Sequence, residues 1–114
     1  MKSKSFPLVA VSMMLAMLGH MPVQAAVDAD DAQALMKNNK CTKCHAPDKD
    51  RSGPSLKKIA AKYKGKADGE EKIIKNITTG AKVKLDDGTE EEHKIIKTKD
   101  DAQMKNLAQW ILSH

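Results

Sequence analysis

Aromatic residues are nearly missing from this chain. Its 114 residues include one Phe, one Tyr and one Trp. Phe6 lies close to the N-terminus, so Tyr63 and Trp110 are left for any folded core. A chain of this length makes one domain at most, and a small domain buries a limited share of its surface. With two aromatics and scattered aliphatics the core is thin, and something besides side chains is expected to fill its middle. Cysteine is equally scarce. Cys41 and Cys44 are the only two, which excludes a disulfide-dense scaffold. A bridge between them would close almost no loop and constrain the unfolded chain little. No apolar run reaches the roughly 20 residues of a comfortable membrane span. The longest, Leu8 to Leu18, stops well short. Charge is only mildly unbalanced, with 20 basic against 15 acidic residues. That gives no argument for nucleic acid, which needs a clustered basic face, and it suits docking to an acidic partner.

What is present begins with an export signal. Met1-Lys2-Ser3-Lys4 is a short basic segment, Leu8 to Leu18 is apolar, and Val23-Gln24-Ala25 ends with small residues at the cleavage positions. This is the order of a secretory signal peptide. Residues 1–25 are read as a removed signal, with Ala26 as the fallback cleavage site, and residues 26–114 as the mature domain. An uncleaved anchor is the alternative.

The mature part reads as four helices joined by loops. Asp28 to Asn39 has an acidic start, a basic end and an Ala32, Leu35, Met36 stripe, as capping and the helix dipole prefer. Ala46 to Pro54 is a polar loop rich in turn residues. Leu56, Ile59, Ala60 and Tyr63 follow at helical spacing and stop near Gly65. Asp68 is placed to cap a third helix carrying Ile73, Ile74 and Ile77, which ends at Thr78-Thr79-Gly80. Residues 81–97 lack a helical period. Val83 and Leu85 alternate and Asp86-Asp87-Gly88 marks a turn, so a small hairpin or an extended loop is expected. Thr98 is expected to open the last helix with Asp101 in capping-box style, its inner stripe being Met104, Leu107, Ala108 and Ile111.

Cys41-Thr42-Lys43-Cys44-His45 is the segment that carries chemistry. Cys-x-x-Cys-His is a signal for covalent c-type haem attachment. Two thiols three residues apart in a helical turn lie on one side of the chain. They can add to the two porphyrin vinyl groups, and the following His can then reach the iron. Two other readings exist. A thioredoxin-type redox pair needs a βαβ context, and the flanks here look helical. A zinc site needs about four ligands, and a distant His would have to complete it.

The rest of the mature chain resembles a small bacterial class I cytochrome c. Three segments carry the resemblance: the Cys41–His45 motif after a helix, Gly53-Pro54-Ser55-Leu56 running into Ile59-Ala60-Ala61-Lys62-Tyr63, and Ala102 to Ser113 with Leu107-Ala108-Gln109-Trp110-Ile111-Leu112. The resemblance implies an all-α class I cytochrome c fold: about four helices wrapped round one covalent haem c, with a long loop before the C-terminal helix. The first and last helices cross beside the haem, Ala32 and Leu35 meeting Leu107 and Trp110. It also implies Cys41 and Cys44 as the covalent anchors and His45 as the proximal iron ligand. The Pro54 carbonyl accepts a hydrogen bond from the free His45 nitrogen, fixing its tautomer. An ordinary turn is the other reading of Gly53-Pro54.

The family usually takes its sixth ligand from a Met in the loop before the last helix. No Met lies between Met36 and Met104 here, and Met104 belongs to a helix stripe. Aligning the last helix on Trp110 puts His93 close to the Met position. A His/His site with His93 as distal metal ligand is therefore the leading reading. A solvated loop His93 is the bland one, and an open distal site is a third. Asn76, Lys82, Lys84 and Lys94 carry atoms able to ligate, with nothing to single one out. Met ligation raises the reduction potential, so a His in its place lowers it.

These readings point to a periplasmic monohaem electron-transfer protein, monomeric, meeting redox partner proteins transiently, with Lys40, Lys43 and Lys49 around the haem edge. No nucleic acid and no stable membrane span after signal cleavage are expected. The alternatives are a haem protein binding a diatomic gas at a labile distal site and a haem subunit of a larger redox complex. Enzyme activity of the peroxidase kind is not expected, since there is no room for a second haem and no obvious distal acid–base pair.

Overall fold

A computed structural model describes residues 26–114; the signal-peptide reading of residues 1–25 lies outside the described residues. The first helix, α1 (Ala29–Asn38), starts where Asp28 accepts a hydrogen bond from the Asp31 N–H at 2.9 Å. Ala32 and Met36, one turn apart, face inward and are buried. The helix stops at Asn38, and Lys40 takes a left-handed backbone with φ 58°. That conformation is uncommon for a residue with a side chain. It turns the chain directly into the Cys41–Lys43 turn.

Helix α2 (Leu56–Tyr63) is capped by Ser55, whose hydroxyl accepts from the Lys58 N–H at 3.1 Å. Helix α3 (Gly69–Thr79) begins after Asp68 as expected. The Asp68 carboxylate, however, pairs with Lys72 at 2.9 Å instead of capping a backbone N–H. Gly80 ends the helix in the left-handed region at φ 64°, the usual glycine stop. The last helix, α4 (Asp101–Leu112), corrects the Thr98 expectation. Asp100 is the cap, its carboxylate accepting from Ala102 and Gln103 N–H at 2.9 and 3.3 Å. Thr98 braces that cap instead, accepting from the Asp100 N–H at 3.2 Å and donating to Gln103 Oε1 at 3.1 Å. The reason is reach: an extended residue directly before a helix can aim a carboxylate at two open N–H groups.

The loop after α3 holds the hairpin. Strand β1 (Lys82–Lys84) pairs antiparallel with β2 (Glu90–Glu92), in the register Lys82 to Glu92, Val83 to Glu91 and Lys84 to Glu90. Leu85 N–H donates to Thr89 and Gly88 N–H to Leu85, at 2.8 and 2.9 Å, with Gly88 at φ 85°. This is a three-residue hairpin loop with glycine at the left-handed position. The ladder continues past β2, because His93 N–H donates to the Ala81 carbonyl at 2.9 Å. Ile96 N–H then donates to the Ile77 carbonyl at 2.9 Å, tying the loop to α3.

Helix α4 is the hub and packs on α1, α2 and α3. Ala32, Leu107 and Ala108 are all but fully buried in the shared core. Small residues on α1 and α4 let the two backbones come close, and Leu35 and Trp110 pack against the same cluster as expected. Asn106 locks the pair at one end. Its amide accepts from Asp28 N–H and donates to the Asp28 carbonyl, both at 2.8 Å. Among the described residues, no helix is long and apolar enough to cross a membrane.

Candidate functional site

The turn at Cys41–Lys43 closes through Cys44 N–H and His45 N–H, both donating to the Cys41 carbonyl at 3.1 and 3.0 Å. The two thiols and the His45 ring all line one cavity of about 650 Å³. Met36, Leu56, Ile59, Ile73 and Ile77 supply apolar wall from α1, α2 and α3. Val83 and Leu85 close the opposite side from the hairpin, the alternate residues Lys82 and Lys84 being exposed. Burial pushes the Cys41 thiol above its ordinary pKa, so it stays protonated in neutral solution.

His45 is fixed on its far nitrogen. Nδ1 lies 2.6 Å from the Pro54 carbonyl oxygen. A carbonyl only accepts, so Nδ1 carries the proton and Nε2 presents a lone pair. Burial pushes the ring pKa down against the pull of Pro54, which keeps the imidazole neutral. The approach of the Gly53–Pro54 segment is close enough to need glycine. A Cβ on Gly53 would sit 2.8 Å from His45 Cε1 and 3.2 Å from Nδ1.

His93 lines the same cavity as His45, their ring centres 6.0 Å apart and their planes tilted by 38°. Its Nδ1 lies 3.0 Å from the Lys94 carbonyl, so its Nε2 is also left as a lone-pair donor. The ladder explains its aim. Ala81, Val83, Leu85, Glu91 and His93 fall on one face of the ribbon by the two-residue alternation of strands; all of these but Glu91 are half-buried, whereas Lys82, Lys84, Glu92 and Lys94 on the other face are exposed. His114 is not brought to this place; its ring packs edge-on against Trp110 at 4.6 Å. Met104 is buried in the helical core and is absent from the cavity wall.

Asn76, Lys82, Lys84 and Lys94 all border the cavity. Asn76 is engaged, its amide donating to the Tyr63 hydroxyl at 3.2 Å. The lysines at the cavity are Lys58, Lys62, Lys82, Lys84 and Lys94, and not Lys40, Lys43 or Lys49. Lys40, Lys43 and Lys49 are exposed on the Cys turn and the segments flanking it, whereas the lysines at the cavity come from α2, the hairpin and the residue after His93. The closeness of Gly53 to the ring and the carbonyl partner of His93 were not visible as sequence patterns. The only signal for the second was the short Val83–Leu85 alternation that set the ribbon's inward face.

The Cytochrome c family profile matches residues 29–114. The chain belongs to the cytochrome c family. Cytochrome c-551 of Stutzerimonas stutzeri is 34% identical over 107 residues, covering 88% of this chain and 91% of the relative. Cytochrome c-551 of Pseudomonas aeruginosa is 34% identical over 85 residues, covering 75% and 78%. Among solved structures, the class 1 cytochrome MtoD from Sideroxydans lithotrophicus ES-1 is 54% identical with a TM-score of 0.74, covering 77% of this chain and 97% of that one. Cytochrome c552 of Nitrosomonas europaea is 33% identical with a TM-score of 0.57, covering 71% and 96%. This cytochrome therefore has the class I fold and is a monohaem electron-transfer protein with one covalently attached haem c.

Proposed function

We propose that this cytochrome is a periplasmic electron carrier, not an enzyme, with His/His iron ligation. Cys41 and Cys44 hold the haem as thioethers, His45 is the proximal ligand oriented by the Pro54 carbonyl, and His93 is the distal ligand. The export signal at residues 1–25, which supports the location, is part of the same proposal. The observation that carries the ligation is the pair of imidazoles at the cavity, 6.0 Å apart. A metal-bound imidazole nitrogen sits about 2.0–2.1 Å from its metal and its ring centre about 1.1 Å further, so ligation from opposite sides would space two ring centres by about 6.2–6.4 Å, within a few tenths of an ångström of the distance here. His45 and His93 stand 6.0 Å apart. Each has Nδ1 committed to a backbone carbonyl, at 2.6 and 3.0 Å, which holds the tautomer that metal ligation needs. The apolar cavity walls fit the body of a porphyrin, and the thiols on one side fit its vinyl edge.

The haem supplies the reversible one-electron couple. The protein's part is to keep that couple from rearranging. Two strong nitrogen ligands of equal kind favour six-coordinate low-spin iron in both oxidation states, so little has to move when an electron passes. The lysines at the cavity rim, interleaved with Glu91 and Glu92, offer cationic groups to an acidic partner.

The test is an absorption spectrum of the reduced, haem-loaded protein with and without carbon monoxide. A closed site keeps its low-spin spectrum over minutes. Rapid carbon monoxide binding sinks the closed carrier and favours a gas-binding protein, for which the exposed two-stranded ribbon holding His93 would be the opening element.

A further inference from the structure

The loop from Ala46 to Ser55 is tied to the proximal side more heavily than a ligand-orienting turn requires. Gly53 N–H donates to the Cys44 carbonyl and Leu56 N–H to the Ala46 carbonyl, at 3.0 and 2.9 Å. Arg51 reaches back to the Thr42 carbonyl at 2.8 Å. Those bonds fix the position of the loop. One further bond does something different. The Ser55 N–H donates to Asp50 Oδ1 at 2.9 Å. Ser55 N–H and the Pro54 carbonyl belong to the same peptide unit, and that carbonyl accepts from His45 Nδ1 at 2.6 Å. A carboxylate therefore sits on one end of the peptide whose other end holds the proximal imidazole.

We propose that Asp50 tunes the electron-donating strength of His45 through the Pro54–Ser55 peptide. An anion on the N–H side draws that proton and pushes electron density toward the carbonyl oxygen. Hydrogen-bonded groups in a chain polarise one another, most strongly where water is excluded. Ser55 is buried, only 2% exposed, so the peptide itself is shielded while the Asp50 carboxylate that acts on it stands at the surface. The more negative Pro54 oxygen strengthens its bond to the Nδ1 proton and gives the ring more imidazolate character, as a carboxylate does for other metal-bound histidines. A more basic ligand stabilises the ferric form. Lys58 works against this, because its ammonium pairs with Asp50 Oδ2. The pair acts as a graded setting: Asp50 pushes and Lys58 moderates. Asp50 is a positioning residue in this scheme and touches no part of the haem. The Lys58 ammonium and the Ser55 N–H hold the Asp50 carboxyl below its ordinary range, so it is ionised at neutral pH.

This rests on His45 being an iron ligand, and the experiment separates the two claims. The haem-loaded wild type is compared with Asp50→Asn, Lys58→Gln and Asp48→Asn by redox titration. Asp48 is an exposed carboxylate two residues away on the same loop and controls for charge through space. Asp50→Asn should shift the one-electron equilibrium about threefold toward the ferrous form, which at 59 mV per tenfold is roughly 30 mV upward. Lys58→Gln should shift it downward. Asp48→Asn should move it by less than half as much as Asp50→Asn. The Asp50→Asn shift should survive at about 1 M salt, where the Debye length falls to about 3 Å and surface charges are screened. The Nδ1 proton of His45 in the diamagnetic ferrous protein should move upfield in Asp50→Asn. Equal shifts for Asp50→Asn and Asp48→Asn, or an unmoved Nδ1 proton, overturn the peptide relay while leaving the haem site intact. A wild type whose spectrum shows no haem bound through His45 overturns both claims.

Discussion

Gly53→Ala tests the proximal geometry most directly. The new Cβ would lie 2.8 Å from His45 Cε1, 3.2 Å from Nδ1 and 3.3 Å from the Cys44 carbonyl oxygen. Carbon atoms rest at about 3.5–4.0 Å, so the ring or the loop must give by about 0.7 Å or more. Neither is free. The ring is held to Pro54 at 2.6 Å, and Gly53 N–H is held to Cys44 at 3.0 Å. A shift of that size along the bond takes the His45–Pro54 contact past the ordinary hydrogen-bond range of about 2.7–3.2 Å. Overpacking of this kind costs about 1–3 kcal/mol. For a domain of this size each kcal/mol lowers Tm by about 4–8 °C, so a loss on the order of 10 °C is expected in thermal unfolding of the haem-loaded variant. The reduction potential should rise as well, because a weaker Pro54 bond leaves His45 a poorer donor. A variant with unchanged Tm and unchanged potential would refute the claim that Gly53 exists for the close approach to His45.

His93→Ala should convert low-spin iron to high-spin and admit carbon monoxide within seconds, read by visible absorption; an unchanged spin state removes His93 from the ligand set. Gly69→Ala would drive a Cβ into the Tyr63 carbonyl oxygen, so a loss of about 1–3 kcal/mol in denaturant unfolding is expected with the potential unmoved. Asp68 is held below the ordinary carboxyl range by its bond to Lys72. Its stabilising effect is therefore full above the unfolded value of about 3.9 and fades as pH falls through the lower folded value. Asp68→Asn should lower Tm above about pH 4 and converge on the wild type in stronger acid; a constant Tm gap down to the acid limit would count against the pair. Replacing Lys82 and Lys84 with Gln should slow oxidation by ferricyanide by about two- to threefold at low salt and flatten its salt dependence, whereas stopped-flow rates equal to wild type would show that these lysines do not steer an anionic oxidant.

The helices were legible because each carries its own local signal. Ala32 and Met36, or Leu56 and Ala60, repeat at the helical period, and capping acids and glycines mark the ends. The Cys41–His45 motif was legible for the same reason: its meaning lies in spacing within one turn. Thr98 misled because two neighbouring residues could both cap, and only the path of the backbone into α4 placed the Asp100 carboxylate over the open N–H groups. The lysines at the cavity rim could not be ranked from sequence, since a solvated lysine and a rim lysine have the same pattern.

The sequence by itself determined the Cys-x-x-Cys-His spacing, the fold class and the absence of the usual Met. These are properties of short segments and of composition. Only the tertiary structure decided that His93 stands 6.0 Å from His45, because that distance depends on a ribbon register, a glycine turn at Gly88 and a loop tied to α3 at Ile77. It also decided that Asp50 meets the back of the peptide that holds His45. The two ends of that relay are five and nine residues from their partners, and a loop's folding, not its period, brings them together.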